Sequence, residues 1–313
     1  DDLIVAVGGG VDWLYGGAGL DSFWYDSSDV VSDASAAENT ARSLHRIASF
    51  YQPWTSNQAS SSYVPLTVDG QNFVDPTITS YAHHYSNFAN RELFVGGADY
   101  DDVRQGSVGD CYYLASLSSL ADTDPQIIEQ MVTSLGDGTY AIRFYRSGQE
   151  VYLRVDADLP VYSNGSLTYA KLSPQGELWV PIVEKAYAHF RYNQNSYQSI
   201  SGGWMDTVYR EVSGGSTQWR YTSGSITSLA SYIRSYLNAG YSLTLGSYSS
   251  AASPVVGSHA YVIKSIDANN NVTVYNPWGV DGRSWDSNYY DGLLRLSIGQ
   301  IQNSYVAVIT ALV

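Results

Sequence analysis

The run Gln105 to Leu120, Gln-Gly-Ser-Val-Gly-Asp-Cys-Tyr-Tyr-Leu-Ala-Ser-Leu-Ser-Ser-Leu, constrains the chain more than any other stretch. Gly106 and Gly109 mark a turn, and Leu114, Leu117 and Leu120 follow at a spacing that predicts a buried helix face. Cys111, the only cysteine, stands at the junction. Backbone N–H groups and the helix dipole at such a place favour an anion, so the thiol is expected to have a lowered pKa and to be partly thiolate at neutral pH. A lone cysteine is otherwise most simply an inert, buried hydrophobe. Two later segments favour chemistry: His259 opens the apolar run Ala260 to Ile263, which reads as a buried strand, and Asn276 ends the next strand.

Cysteine at a helix start, then histidine, then asparagine is the chain order of papain-like thiol proteases. In those roles His259 takes the thiol proton and later protonates the leaving amine, while the Asn276 amide oxygen fixes the imidazole tautomer. Gln105 would aim its side-chain amide at the developing oxyanion, beside the N–H of Cys111.

The closer resemblance is to the calpain-type cysteine proteases, whose signature is Gln-Gly-x-x-Gly-Asp-Cys-Trp-x-Leu-Ala. This chain matches it apart from Tyr112 in place of tryptophan. Leu178 to Ala188, the run Ser199-Ile200-Ser201-Gly202-Gly203, His259-Ala260-Tyr261 and Asn276-Pro277-Trp278-Gly279 match in order. The resemblance runs from roughly Leu93 to the C-terminus. It implies an α+β, two-lobed papain-like fold: a helical lobe with the nucleophile over 93–203, a β-rich lobe with His259 and Asn276 over 204–313, and a cleft between them. Gly202 and Gly203 would be the hinge, and Trp278 a wedge or lid over the catalytic pair. The activity implied is calcium-dependent hydrolysis of peptide bonds in protein or peptide substrates through an acyl-enzyme on Cys111.

The resemblance also implies a calcium site from the carbonyls of Val95 and Gly97, with Asp102 and Glu184 as carboxylates. Oxygen-only ligation of this kind suits Ca²⁺. Read without the resemblance, Phe94 to Asp102 is a solvated turn, and Glu184 an ion-pair partner for a cation such as Arg104. A second family site would fall on Asp281 and Asp291, although Leu293 stands where the family has a carboxylate.

Two other classes remain open on the residues. One is a catalytically silent calpain-like module that binds partners through its tyrosines, of which there are 28. The other is a different thiol hydrolase or a transglutaminase, which usually needs an aspartate where Asn276 stands.

A chain of 313 residues has room for two ordinary domains or an enzyme core with an appendage. Its net charge of -14 argues against nucleic acid and anionic membrane surfaces as partners. The lone cysteine excludes an internal disulfide, no run is apolar enough to span a bilayer, and no basic-then-apolar signal pattern opens the chain at Asp1, a start that reads as a processed or trimmed one. A monomer is expected.

The N-terminal segment, 1–30, carries Gly8-Gly9-Gly10-Val11-Asp12-Trp13 and Gly16-Gly17-Ala18-Gly19-Leu20-Asp21-Ser22-Phe23. This resembles the nonapeptide of hemolysin-type calcium-binding repeats, in which turn carbonyls and an aspartate, here Asp12 or Asp21, hold the ion. The alternative is a Gly-rich loop between short strands. If the repeats are real, an extracellular, secreted bacterial setting is expected. Over 31–92 the sequence predicts a helix from Asp33 to Tyr51 with Leu44, Ile47, Ala48 and Tyr51 on its packed face and His45 toward solvent. A linker over Gln52 to Ser62 follows, then the structural histidines His83 and His84 on opposite strand faces.

Overall fold

This computed structural model describes residues 1–51, 73–283 and 286–312, so the linker expected at Gln52 to Ser62 lies outside the described residues. The chain opens with β1 (Leu3–Ala6), β2 (Trp13–Leu14), β3 (Ser22–Asp26), β4 (Val30–Val31), α1 (Ala36–Thr40) and β5 (Leu44–Ile47). β1, β3 and β5 pair in parallel, as do β2 and β4, so successive coils of chain lie on one another. Carboxylates join the coils: Asp21 accepts the Asp2 N–H at 2.7 Å, Asp29 the Asp12 N–H at 3.0 Å and Glu38 the Asp21 N–H at 3.0 Å. Each acceptor thereby satisfies a backbone donor that a turn leaves unpaired.

The helix expected from Asp33 to Tyr51 does not form over that range. It stops after Thr40, Arg42 takes φ 56°, and Leu44–Ile47 joins β3 as a strand. Pairing with a strand well upstream outweighs local helical spacing, because it buries Ile47 completely and satisfies the ladder. His45 does not face solvent. It is fully buried, stacks on Trp24 with ring centroids 4.0 Å apart and places Nε2 2.7 Å from Gln130 Oε1. Burial pushes its pKa down to about 3, so the ring is neutral. Trp24, Ile47 and Phe50 form a small core with Ala141 and Tyr152, seating the coils against the sheet that follows.

Next come β6 (His84–Asn87), α2 (Cys111–Thr123), α3 (Pro125–Glu129), β7 (Val132–Ser134), β8 (Thr139–Arg146), β9 (Gln149–Asp156), β10 (Asp158–Val161), α4 (Trp179–Phe190) and α5 (Met205–Ser213). β7, β8 and β9 form an antiparallel sheet, and β6 pairs with β10. The β8–β9 turn is tight: Ser147 and Gly148 take φ 53° and 78°, as a two-residue hairpin of this twist requires. His83 and His84 do not point apart; their Nδ1 atoms lie 3.0 Å from one another at the exposed start of β6.

The last part comprises β11 (Ser216–Tyr221), α6 (Ile226–Asn238), β12 (Ser242–Ser247), β13 (Ala260–Ile266), β14 (Asn271–Tyr275), β15 (Leu293–Ser297), α7 (Ile298–Ser304) and β16 (Tyr305–Leu312). Among the described residues the strands form one antiparallel sheet, in the order β11-β16-β12-β13-β14-β15. Alternation along β13 gives the sheet two packed faces. Ala260 and Val262 join the core built by α2, α4 and α5, while Tyr261 and Ile263 join a second core under α6 and α7. The nucleophile's helix therefore lies directly on the strands that carry the histidine. Ser119 Oγ donates to the Leu243 carbonyl at 3.3 Å, and Ser242 Oγ returns a bond to the Ser119 carbonyl at 3.2 Å.

Candidate active site

Cys111 is the first residue of α2, with Asp110 in the capping position, and the Tyr113 and Leu114 N–H groups bond to the Asp110 carbonyl. The preceding turn is tight. A side chain at Gly106 would meet the carbonyls of Tyr169 and Thr168, so that position admits only glycine. Cys111 is partly buried and His259 almost wholly buried, and both line a cleft of about 690 Å³ together with Gln105, Ser107, Gly109, Ser258 and Trp278. The sulfur is approached by the N–H groups of Ala260, Tyr112 and Cys111 itself.

His259 Nε2 lies 2.8 Å from Asn276 Oδ1, and the same oxygen accepts the Trp278 N–H at 3.0 Å. Asn276 Nδ2 donates to the Asp281 carbonyl at 3.3 Å, which orients the amide. An oxygen facing the ring makes Nε2 the protonated nitrogen and leaves Nδ1 as the base. Trp278 leans over the imidazole, ring centroids 4.7 Å apart. Gln105, Cys111, His259, Asn276 and Trp278, distant in sequence, thus meet at one cleft.

Two expectations change in detail. The Cys111 thiol is not acidified. Burial pushes it up to about 11, with the charge of Asp110 adding to the rise, and this outweighs the backbone N–H groups that act the other way. Burial likewise brings His259 down to about 4, so thiol and imidazole are both neutral in this packing. Gln105 does not present its amide to the cleft: Nε2 donates to the Val108 carbonyl at 2.7 Å and to Asp110 Oδ1 at 3.1 Å. Its backbone N–H meanwhile reaches the Pro277 carbonyl at 2.8 Å, tying the nucleophile loop to the asparagine loop.

Gly202 has φ 74° and donates its N–H to the Gly109 carbonyl at 2.8 Å; a side chain at Gly203 would strike the Tyr112 ring. Tyr112, in place of the family's tryptophan, is buried, donates to the Ile200 carbonyl at 3.0 Å and carries the Arg191 guanidinium over its ring.

The acids divide differently from the sequence reading. Val95, Gly97 and Asp102 lie on one loop, but Glu184 is elsewhere: it is buried on α4, accepts the Ala170 N–H with both oxygens and faces Asp110. The acid beside the loop is Glu177, which accepts the Val95 N–H and neighbours Asp102. It stands just before Trp179, whose indole N–H donates to Asp102 Oδ2 at 2.9 Å. That adjacency to the Leu-Trp pair was the available signal. Asp281 is completely buried, neither of its carboxylate oxygens has a donor, and burial together with Asp286 and Asp291 pushes it up to about 6. Asp12 is exposed and Asp21 fully buried, so the two do not share an environment. Among the described residues no three His, Cys, Asp or Glu side chains gather as a metal cluster.

A cysteine, a histidine oriented by an asparagine, and N–H groups converging at the start of a helix define the class of thiol-dependent acyl-transfer enzymes. Residues 80–296 match the calpain family cysteine protease description, and the chain belongs to that family, a cysteine peptidase by class. It is similar to the calpain-type cysteine protease DEK1 of Zea mays, 31% identical over 206 residues, 59% of this chain and 9% of that protein. It is also similar to the calpain-2 catalytic subunit of Gallus gallus, 29% identical over 208 residues, 60% of this chain and 29% of the relative. The calpain-1 catalytic subunit of Sus scrofa is 28% identical over 225 residues, 66% of this chain and 31% of the relative. The chain therefore spans less than a third of the length of these relatives.

Proposed function

We propose that this chain is a calcium-dependent cysteine endopeptidase that cleaves protein segments lying in the Cys111–His259 cleft. The observation that carries the reading is the 2.8 Å contact between His259 and Asn276 at the wall of the cleft that also holds Cys111. As a peptide carbonyl approaches, His259 Nδ1 takes the thiol proton while Sγ attacks the carbonyl carbon, and the oxyanion forms against the Cys111 N–H. Collapse of the tetrahedral species transfers the proton to the leaving amine and leaves a thioester on Cys111. Water, deprotonated by His259, then releases the acid and restores the thiol. Segments 93–203 and 204–313 are read as two lobes hinged at Gly202 and Gly203, with Trp278 as the lid.

For calcium, Asp102 and Glu177 fit with the carbonyls of Val95 and Gly97. Glu177 Oε2 is buried without a donor, and burial with the adjacent Glu177 pushes Asp102 up to about 7. Two carboxylates held together in this way are stabilised by a hard divalent cation, which would fix the loop's charge and backbone. Asp281, Asp286 and Asp291 are a second candidate set. The stacked parallel coils support reading 1–47 as a short calcium-repeat roll with Asp21, whose Oδ2 is buried without a donor, as its ligand, and a secreted setting goes with that reading.

Hydrolysis of an unfolded protein substrate, followed in Ca²⁺ and in chelator, tests the proposal. Chelation is expected to lower kcat/KM at least ~10-fold and Ca²⁺ to restore it, the range in which an effector coupled to a site acts. Activity indifferent to chelator removes the calcium clause; no hydrolysis in either condition removes the peptidase reading.

A further inference from the structure

Behind the nucleophile lie two carboxyl groups that the chemistry above does not use. Asp110 and Glu184 are 0% and 2% exposed, and their carboxyl groups face each other. Asp110 Oδ1 receives the Gln105 amide at 3.1 Å, while Oδ2 is buried and has no hydrogen-bond donor among the described residues. Around them stand Tyr113 and Cys111 from α2, Tyr169 and Lys171 from the segment before α4, and Tyr197 after it. Lys171 is the nearby cation, but its Nζ donates to the carbonyls of Leu167 and Thr168. A buried pair of contacting carboxyls with so little compensation holds at least one proton at neutral pH. Burial accordingly raises both acids, Asp110 to about 7 and Glu184 well above its ordinary value.

We propose that Asp110 and Glu184 form a one-proton carboxyl couple that positions the nucleophile: Glu184 donates to Asp110, and Asp110 holds the Gln105 amide and the turn from which Cys111 projects. The Ala170 N–H anchors Glu184 to the neighbouring segment, so the couple fastens the start of α2 to α4 and to the loop before it. Gln105 extends the chain of contacts to Pro277, beside Asn276. Loss of the last proton at alkaline pH would leave two buried like charges and loosen this turn. The sign follows from the raised acids: the stabilisation is present at low pH and is lost as pH rises through their folded values.

The proposal rests on the thiol chemistry proposed above, and Glu184→Gln and Glu184→Leu test it. Glutamine can still accept the Ala170 N–H and donate to Asp110, but it has no proton to lose. E184Q is expected to keep kcat within ~3-fold at pH 7 and to lack the fall in kcat and in melting temperature expected of the wild type as pH rises beyond about 7. E184L, which offers nothing to Asp110 Oδ2 or to the Ala170 N–H, is expected to lose on the order of 10² in kcat with KM little changed, the cost of about an ångström of misplacement. Its Cys111 should also react with iodoacetamide at least ~10-fold more slowly at pH 8, as the N–H groups leave the sulfur and the thiol pKa rises. Alkylation needs no substrate, so it judges the positioning even if the peptidase reading fails. A wild-type alkaline fall retained in E184Q, or a folded E184L with unchanged kcat and alkylation rate, overturns the proposal.

Discussion

Cys111→Ser is expected to reduce kcat/KM for a peptide substrate by on the order of 10⁴ to 10⁶, with KM nearly unchanged. The hydroxyl occupies the same place at the head of α2, but it is a far weaker nucleophile and a poorer leaving group. The N–H groups of Cys111, Tyr112 and Ala260 that face the sulfur remain in place, so binding survives. The change is small in volume and leaves Leu114, Leu117 and Leu120 in the core. A loss of activity with unchanged melting temperature is therefore loss of chemistry. Steady-state kinetics beside a thermal melt checks it; a serine variant that retains activity within ~10-fold of wild type contradicts the assignment.

His259→Ala carries the second large effect, on the order of 10⁴ in kcat/KM, because the neutral thiol then has no base. The double variant C111S/H259A should be no worse than the poorer single variant, since the two residues act as a unit. The pH dependence separates base from bystander. In the wild type kcat/KM rises with pH through about 4, as His259 loses its proton and becomes able to accept the one on sulfur. H259A lacks that acid limb, and its residual activity climbs instead toward about 11, where the thiol ionises unaided. The depressed histidine also costs stability in acid: the unfolded chain takes up a proton near 6.5, the folded one only near 4, so folding weakens as pH falls across that interval. A pH–rate profile of H259A that overlays the wild type's removes the histidine from the mechanism.

That Cys111, His259 and Asn276 belong to one cleft was legible because reactive side chains beside turn and strand signals leave few alternatives. Cys111 after Gly109, His259 before an apolar run and Asn276 before proline each mark the end of an element, where the backbone can aim a side chain. Burial was not legible in the same way. Helix-start electrostatics predicted an acidic thiol, and desolvation by burial, with the charge of Asp110 beside it, reverses the sign. The acids proposed for calcium show a related limit. Glu177 lies just before α4 and Glu184 in its middle, and only the three-dimensional path of the loop at Val95 shows which one it meets. The N-terminal helix failed for a further reason. Leu44 and Ile47 satisfy helical spacing, but their partners are Phe23 and Asp26 on a strand formed much earlier in the chain. Periodicity reports one element at a time; parallel pairing is a relation between two.

The most direct test is an intact-mass measurement on enzyme quenched in acid while it turns over a peptide ester, followed by fragment mapping. The structure predicts a fraction of chains heavier by one acyl group, attached through a thioester to Cys111 and absent from C111S. Turnover with the mass unchanged at every quench time, or an acyl group mapped to any other residue, would contradict a site built on that sulfur.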